Sequence, residues 1–311
     1  MSTPAHALVL TAGLGTRLRP LTDVRAKPAI PVGGEPMIRR VVRWLVLNRV
    51  SDIVLNLHHL PHTVAAVMGD GSDLSARVRY SWEQPLVLGT AGGPRQALSI
   101  IGTDTFFLVN GDTLTDLDLP SLGEACEGTP ALVTLALVPN REPHRYGGVQ
   151  LDAERQVTGF VPRGRSAVGS YHFIGVQLVH VDAFRALPAG QPAQSIGGVY
   201  ETLIATRPGA IRGVVTDAAF WDIGTVSDYW STSWSFIGAE DRPGVTHGQR
   251  SRIDPAAHVS RSILWDDVEV SCDCVLDECV ITDGVSVPPG THLRRSILLR
   301  QTDGTTRVSP F

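Results

Sequence analysis

Lysine is almost missing from this chain. Its 311 residues include 27 basic ones, of which 26 are arginine and one is lysine, Lys27, so arginine serves every other cationic position. An excess of positive charge is missing too: 27 Lys and Arg face 31 Asp and Glu, a net charge of −4. That excludes a global positive field for nucleic acid or an anionic membrane surface. Long apolar runs are absent, the longest being residues 131–139 with Thr134 inside it, far short of the roughly 20 residues of a membrane helix. Cysteine is scarce (4), and residues 1–6 have neither the basic segment nor the apolar run of a secretion leader. The expectation is a reduced, cytoplasmic protein. Charged residues make up only 19% against about 25% in typical domains, yet a chain of this length buries about 75% of its unfolded surface without a disulfide or metal. The length suggests two domains.

The first half alternates short β-branched runs (7–10, 53–57, 78–80, 106–109) with helical spacing (37–47, 63–68). Such alternation reads as βαβ units around a mostly parallel sheet. In 37–47 the apolar residues Met37, Ile38, Val41, Val42 and Leu45 recur every three to four positions, and Pro36 suits the first turn of a helix. From about residue 131 the pattern is less regular, as α+β insertions would be. Residues 242–252 have the polar, Gly/Pro-bearing composition of a linker. Beyond it Ser262-Ile263-Leu264, Cys279-Val280-Ile281 and Ser296-Ile297-Leu298 recur every 17 residues (262 to 279, 279 to 296). Three short faces per turn would make this a parallel β-helix of about three coils. The expected domains are therefore 1–240, a linker at 241–252, and a repeat domain at 253–311.

The most informative segment is Leu8-Val9-Leu10-Thr11-Ala12-Gly13-Leu14-Gly15-Thr16-Arg17, a strand running into a glycine-bearing basic loop, with Pro20-Leu21-Thr22 beyond it. Backbone N–H groups bared by glycines form an anion-binding concavity, and Arg17 adds a planar cation matched to phosphate oxygens. A dinucleotide fingerprint would need a third glycine where Leu18 stands, and a P-loop ending is absent. Lys27 follows in Arg25-Ala26-Lys27-Pro28. An ammonium is a compact point charge that contacts oxygens of different phosphates, whereas a guanidinium prefers a flat, forked partner.

These residues resemble the sugar-1-phosphate nucleotidyltransferases, or nucleotide-sugar pyrophosphorylases. The likeness continues through Glu83, Leu88-Gly89-Thr90-Ala91-Gly92, Asn110-Gly111-Asp112 and Trp221-Asp222-Ile223-Gly224-Thr225, over about the first 240 residues, and its style is closest to the mannose- and heptose-1-phosphate guanylyltransferases. It implies an α/β fold, a Rossmann-like, mostly parallel sheet with helices on both faces, and the repeats fit the short C-terminal left-handed β-helix that several members carry. It also implies nucleotidyl transfer from a nucleoside triphosphate to a sugar-1-phosphate.

On that likeness Ala12, Gly13, Gly15, Thr16 and Arg17 hold the leaving phosphates, and Lys27 spans the phosphates of both substrates. Glu83, Gly89 and Thr90 line the nucleoside pocket, while Gly148 and Gly175 bring backbone to the sugar. Asp112 follows an apolar strand at the sheet edge where open α/β proteins bind ligands, and Asp222 lies in an aromatic setting. Together they are the expected Mg²⁺ ligands. Where the family has Glu-Lys-Pro after a Gly-Phe pair, this chain reads Gly159-Phe160-Val161-Pro162-Arg163, so Arg163 is the cation available for a sugar phosphate and no carboxylate accompanies it. The acidic residue expected before the helix near Val199 is Ser195.

Guanine, with two adjacent N–H donors that Glu83 could accept, is the expected base. A UTP- or dTTP-dependent glucose-1-phosphate enzyme is the alternative, and a non-catalytic nucleotide-sugar-binding regulatory subunit is the rival of another class. Zinc sites at His58, His59 and His62, or at Cys272, Cys274 and Cys279 with His258, are disfavoured by spacing, because the cysteines match inward or corner positions of coils. Exposed coil edges predict a homo-oligomer.

Overall fold

The computed structural model describes residues 4–237 and 244–311. Residues 1–3 and the expected domain boundary between residues 240 and 241 lie outside these. The chain separates into two compact units that interleave along the sequence: residues 1–13 with 38–221, and residues 14–37 with 222–311.

The first unit is built on a 9-stranded sheet. Arg77–Trp82, Asp52–Leu57, His6–Leu10 and Thr105–Asn110 lie side by side and parallel. Their apolar residues, among them Leu8, Val54 and Leu108, are buried, as the near-continuous hydrophobic runs of a sheet covered on both faces require. Beyond Thr105–Asn110 the expectation of a mostly parallel sheet needs correction. Tyr171–His180 runs antiparallel to Thr105–Asn110 and to Val133–Pro139, Gly148–Leu151 pairs antiparallel with Val157–Val161, and only Ile211–Val215 returns parallel, beside Val133–Pro139. The sheet is mixed because Gly148–Leu151 and Val157–Val161 are joined by a tight turn, which permits only an antiparallel pair. A parallel pair needs a crossover of a dozen or more residues.

Met37–Leu47 is helical and buries Met37, Ile38, Val41, Val42 and Leu45, the stripe read from its spacing. Helix Gly89–Ile101 packs Ala91, Ala97 and Ile101 into the same core as Phe106 and Leu108.

The repeats of the second unit pair in parallel ladders offset by 17 residues, the offset of the hydrogen bond between Cys279 N–H and Ser262 Oγ. One ladder runs Val245–Thr246, Ser262–Leu264, Val280–Ile281, Ser296–Arg300; a second Arg252–Ile253, Glu269–Val270, Ser286–Val287; a third His258–Ser260, Val275–Asp277, His292–Arg294. Inward residues Leu264, Val270, Leu276, Ile281, Val287 and Leu298 fill the coil. Cys274 and Cys279 are buried free thiols among them, in agreement with the coil reading.

Residues expected to be linker form the first coil: Val245 pairs with Ser262 and Arg252 with Glu269. Composition misleads here because coil faces are only two or three residues long between polar corners. Several corners take left-handed backbone at equivalent positions, as at Arg250, Asp267 and Gly284, so the polar and glycine residues that signal a loop elsewhere belong to the regular coil. The last coil is not open on every face. Thr306–Pro310 turns back antiparallel onto Ser296–Arg300, which covers one of the edges on which the oligomer expectation rests.

Candidate active site

In the first unit the strand His6–Leu10 ends where Thr11 is anchored. Its amide donates to the Asn56 side-chain oxygen at 2.6 Å and its hydroxyl donates to the Asn56 carbonyl. Ala12 is buried and Gly13 exposed, with open space where a Cβ would be. Gly111 donates its N–H to the Leu10 carbonyl at 2.9 Å, and a Cβ at Gly111 would lie 2.6 Å from that carbonyl oxygen. This close approach seats Asn110-Gly111-Asp112 beside the start of the glycine loop, with Asp112 half-buried.

Asn56 also links the loop to Glu83. Its amide donates to Glu83 Oε1 at 2.7 Å, and Glu83 Oε2 accepts the Leu88 N–H at 2.6 Å. Glu83 is fully buried, with both oxygens satisfied inside the protein. Its carboxylate therefore shapes the 83–88 turn. A Cβ at Gly89 would lie 2.7 Å from the Ala193 carbonyl, and one at Gly93 would collide with Glu83 Oε1, so these glycines serve close packing. The Thr90 hydroxyl accepts from the Ser195 N–H at 2.9 Å. Asn56 was missed by the sequence reading, although an asparagine within an otherwise apolar strand is the signal that could have revealed it.

Of the residues expected near the sugar, Gly148 pairs with Val161, and a Cβ at Gly148 would overlap the Ser170 hydroxyl. Arg163 is exposed, and its N lies 3.8 Å from where a Cβ on Gly147 would be. Gly175 has φ +83° at an irregularity in Tyr171–His180, and its Cβ position is 2.6 Å from Thr113 Oγ1 and 2.8 Å from Asn110 Nδ2. Nearby rings that no motif announced also gather: Tyr146 and His172 at 4.1 Å between centroids, His172 and Phe220 at 5.0 Å, with the Arg145 guanidinium 5.0 Å from the Tyr146 ring centre.

The second unit begins at Leu14. Gly15 has φ +62°, and the Thr22 hydroxyl donates to its carbonyl at 3.1 Å. Thr16 and Arg17 are exposed. Lys27 is 8% exposed and opens the single turn Lys27–Ala29, with Pro28 inside it. Asp222 precedes a helix whose start is closed reciprocally: the Asp228 N–H donates to the Thr225 hydroxyl at 3.1 Å and the Thr225 N–H to the Asp228 carboxylate at 2.9 Å. Gly224 leaves room beside this cap. A Cβ there would lie 3.0 Å from Arg17 Nη1, 3.4 Å from Asp228 Oδ2 and 3.6 Å from Asp222 Oδ2, so Arg17, Asp222 and Asp228 all border this bare stretch of backbone. Asp112 belongs to the first unit and Asp222 to the second. Among the described residues no group of three or more His, Cys, Asp or Glu side chains is assembled as a metal site.

A glycine-bearing basic loop after the first strand of an α/β sheet, an Asn-Gly-Asp turn at its edge and a coil of repeats define a class, and comparison with known proteins agrees with it. Residues 6–236 match the nucleotidyl transferase family and residues 242–300 the GlmU-like C-terminal hexapeptide family. The chain belongs to the nucleotidyl transferase family. It is 29% identical over 299 residues to the mannose-1-phosphate guanylyltransferase of Mycobacterium tuberculosis, covering 93% of this chain and 83% of that protein. It is 32% identical over 222 residues to the N-acetylmuramate alpha-1-phosphate uridylyltransferase of Neisseria meningitidis, covering 71% of this chain and 93% of that one. The crystal structure of HddC from Yersinia pseudotuberculosis shares the fold, with a TM-score of 0.64 at 23% identity, over 74% of this chain and 99% of that one.

Proposed function

We propose that this protein is a Mg²⁺-dependent cytoplasmic guanylyltransferase: it transfers the nucleotidyl group of GTP to a mannose- or heptose-type sugar-1-phosphate, giving GDP-sugar and pyrophosphate. Nucleotidyl transfer to a sugar-1-phosphate is the reaction named for relatives across the family. The choice of guanine is supported by two relatives named as guanylyltransferases, of mannose-1-phosphate and of a heptose 1-phosphate. The observation that carries the catalytic reading is the chain's one lysine, 8% exposed in a rigid turn downstream of Gly15 and the exposed Arg17.

A sugar phosphate oxygen attacks the α-phosphorus in line. The bond from that phosphorus to the β-bridging oxygen breaks, and pyrophosphate leaves with the electron pair. The nucleophile is already anionic, with its second pKa near 6, so no protein base is needed. Catalysis is then positioning and charge neutralisation. The Ala12–Thr16 backbone and Arg17 hold the β- and γ-phosphates, and Lys27 contacts phosphates of both substrates. Glu83, through Asn56 and Leu88, shapes the turn that leads to Gly89 and Thr90 in the nucleoside pocket. Gly148, Gly175 and Arg163 line the sugar phosphate. Asp112 and Asp222 are hard carboxylate donors of the kind Mg²⁺ prefers, and they are the residues that would hold it. When bound, the ion supplies charge neutralisation on the α-phosphate.

The Neisseria relative supports a second reading, UTP as donor. A pyrophosphate-release panel crossing GTP, UTP, dTTP, ATP and CTP with mannose-, heptose-, glucose- and N-acetylmuramate-1-phosphates in Mg²⁺ decides between them. Turnover with GTP and mannose- or heptose-1-phosphate is expected, a UTP optimum would move the base, and silence throughout would favour the regulatory subunit.

A further inference from the structure

Lys27 sits in a segment that the β-helix holds by contacts the catalytic reading does not use. Arg25, two residues earlier, has a side chain only 11% exposed. Its Nε and Nη2 donate to the two carboxylate oxygens of Asp283 at 2.7 and 2.6 Å, and Nη2 also donates to Asp266 at 2.6 Å. Asp266 and Asp283 occupy the same place on successive coils, and the Asp266 N–H donates to Asp283 Oδ1 at 3.1 Å. The guanidinium carbon lies 5.3 Å from the ring centre of the fully buried Trp265. Trp265 Nε1 in turn donates to the Tyr229 hydroxyl at 3.0 Å, and that hydroxyl donates to the Pro31 carbonyl at 2.8 Å. All of these residues belong to one compact unit.

The segment is thus fastened on both sides of Lys27, at Arg25 by two coils and at Pro31 by Tyr229. Between the fastenings the Ala29 N–H donates to the Ala26 carbonyl at 2.8 Å and the Ile30 N–H to the Lys27 carbonyl at 3.2 Å, while Pro28 fixes its own φ. Little torsional freedom remains. A forked guanidinium–carboxylate pair sets orientation as well as distance. A buried ion pair is a weak device for stability alone, since apolar side chains of similar volume often serve as well. An ammonium that must meet phosphates tolerates little displacement of its backbone, because about 1 Å of misplacement can lower a rate by about 10²-fold.

We propose that Asp266 and Asp283 of the β-helix, acting through Arg25, are positioning residues for Lys27. The coil is on this view a structural part of the phosphate site and not an appendage. The inference rests on the reading of Lys27 as a phosphate ligand, but its test does not depend on activity alone.

Lys27 is the chain's one side-chain amine, so acetylation of the full-length protein followed by peptide mass spectrometry reports its accessibility directly. The Asp266→Asn/Asp283→Asn double variant is compared with the parent and with Asp267→Asn, which removes a charge from the same coil but pairs with the exposed Arg250. Labelling is done well below each variant's melting transition. Should the double variant fail to fold, Asp266→Asn alone, which removes one of the two negative charges paired with Arg25, takes its place. The expected result is labelling of Lys27 accelerated by about tenfold or more, with kcat lowered by about 10- to 100-fold and the KM for triphosphate changed less, while Asp267→Asn matches the parent in both. An unchanged labelling rate, with or without a loss of kcat, overturns the proposal, as does equal acceleration in Asp267→Asn. If no variant or parent shows turnover, the labelling comparison still decides, and it is then the enzymatic reading that has failed.

Discussion

Lys27 combines burial, charge and singularity, and substituting it separates shape from charge. Arginine keeps the cation but replaces a point charge with a fork. Lys27→Arg is expected to lower turnover by roughly 10²- to 10³-fold, the range for losing one preorganised electrostatic group, measured as pyrophosphate release; near-normal turnover would remove the lysine from the phosphate site. In the same assay Asp112→Asn is expected to abolish Mg²⁺-dependent turnover, and an unaltered magnesium titration would take it out of the metal's ligand set. Gly175 answers to sterics instead. With φ +83° and Thr113 Oγ1 2.6 Å from the Cβ position, Gly175→Ala is expected to destabilise by about 1–3 kcal/mol through backbone strain and collision, seen as a lower Tm. At this scale Gly13, Gly15, Arg17, Lys27 and Asp112 could be singled out from sequence, because each stands in a short motif. The work of Asn56 was not, since its partners Thr11 and Glu83 lie 45 and 27 residues away.

Among elements, the turn after Arg77–Trp82 depends on Glu83, whose buried carboxylate joins the Asn56 amide to the Leu88 N–H. Glu83→Ala strips both donors of their acceptor, at a cost of about 1.5–3 kcal/mol per charge-assisted bond. The expected outcome is a clear fall in Tm with a raised KM for triphosphate; a normal Tm with a raised KM would return the carboxylate to direct base contact. The helices Met37–Leu47 and Pro61–Met68 and the four parallel strands of the first half were readable from patterning, whereas helix Gly89–Ile101, with its glycines and Pro94, and the parallel strand Ile211–Val215 were not. The antiparallel half of the sheet was less readable, because short half-buried strands carry a weak pattern and their direction is decided by turn length and pairing. The first coil, at Val245–Ile253, was misread as linker because its evidence is pairing with the next coil and not composition.

Taken whole, the molecule carries paired carboxylates that tie its stability to acid. Burial raises the pKa of Asp52, but hydrogen bonds and charge from Arg77 and Arg79 prevail and hold it below the usual carboxylate value. Asp277 is lowered likewise, by hydrogen bonds from Ser260 and Arg261. A depressed folded-state pKa means stability that is present above the unfolded value of about 3.9 and lost as pH falls through the folded one. Tm should therefore drop as pH is taken from about 5 to below 3, and Asp52→Asn should flatten part of that slope while lowering Tm at neutral pH. An unchanged slope in the variant would show that Asp52 is not among the groups responsible. Assembly is decided at this scale as well. The Thr306–Pro310 strand covers one coil edge and leaves the other ladders to end at Ser286–Val287 and His292–Arg294, and sedimentation of the full chain is expected to show a homo-oligomer.

The solitary lysine, the glycine-bearing loop, the Asn-Gly-Asp turn and the 17-residue repeat were settled by the sequence itself, because each is an arrangement of near neighbours or a strict period. The interleaving of residues 14–37 with the coil, the commitment of Glu83 to its turn and the clamp on Arg25 were decided only by tertiary structure. Arg25 and Asp283 are 258 residues apart, and no local pattern announces a partner at that distance: only the packing of the coils against this segment brings the two charges into one orientation.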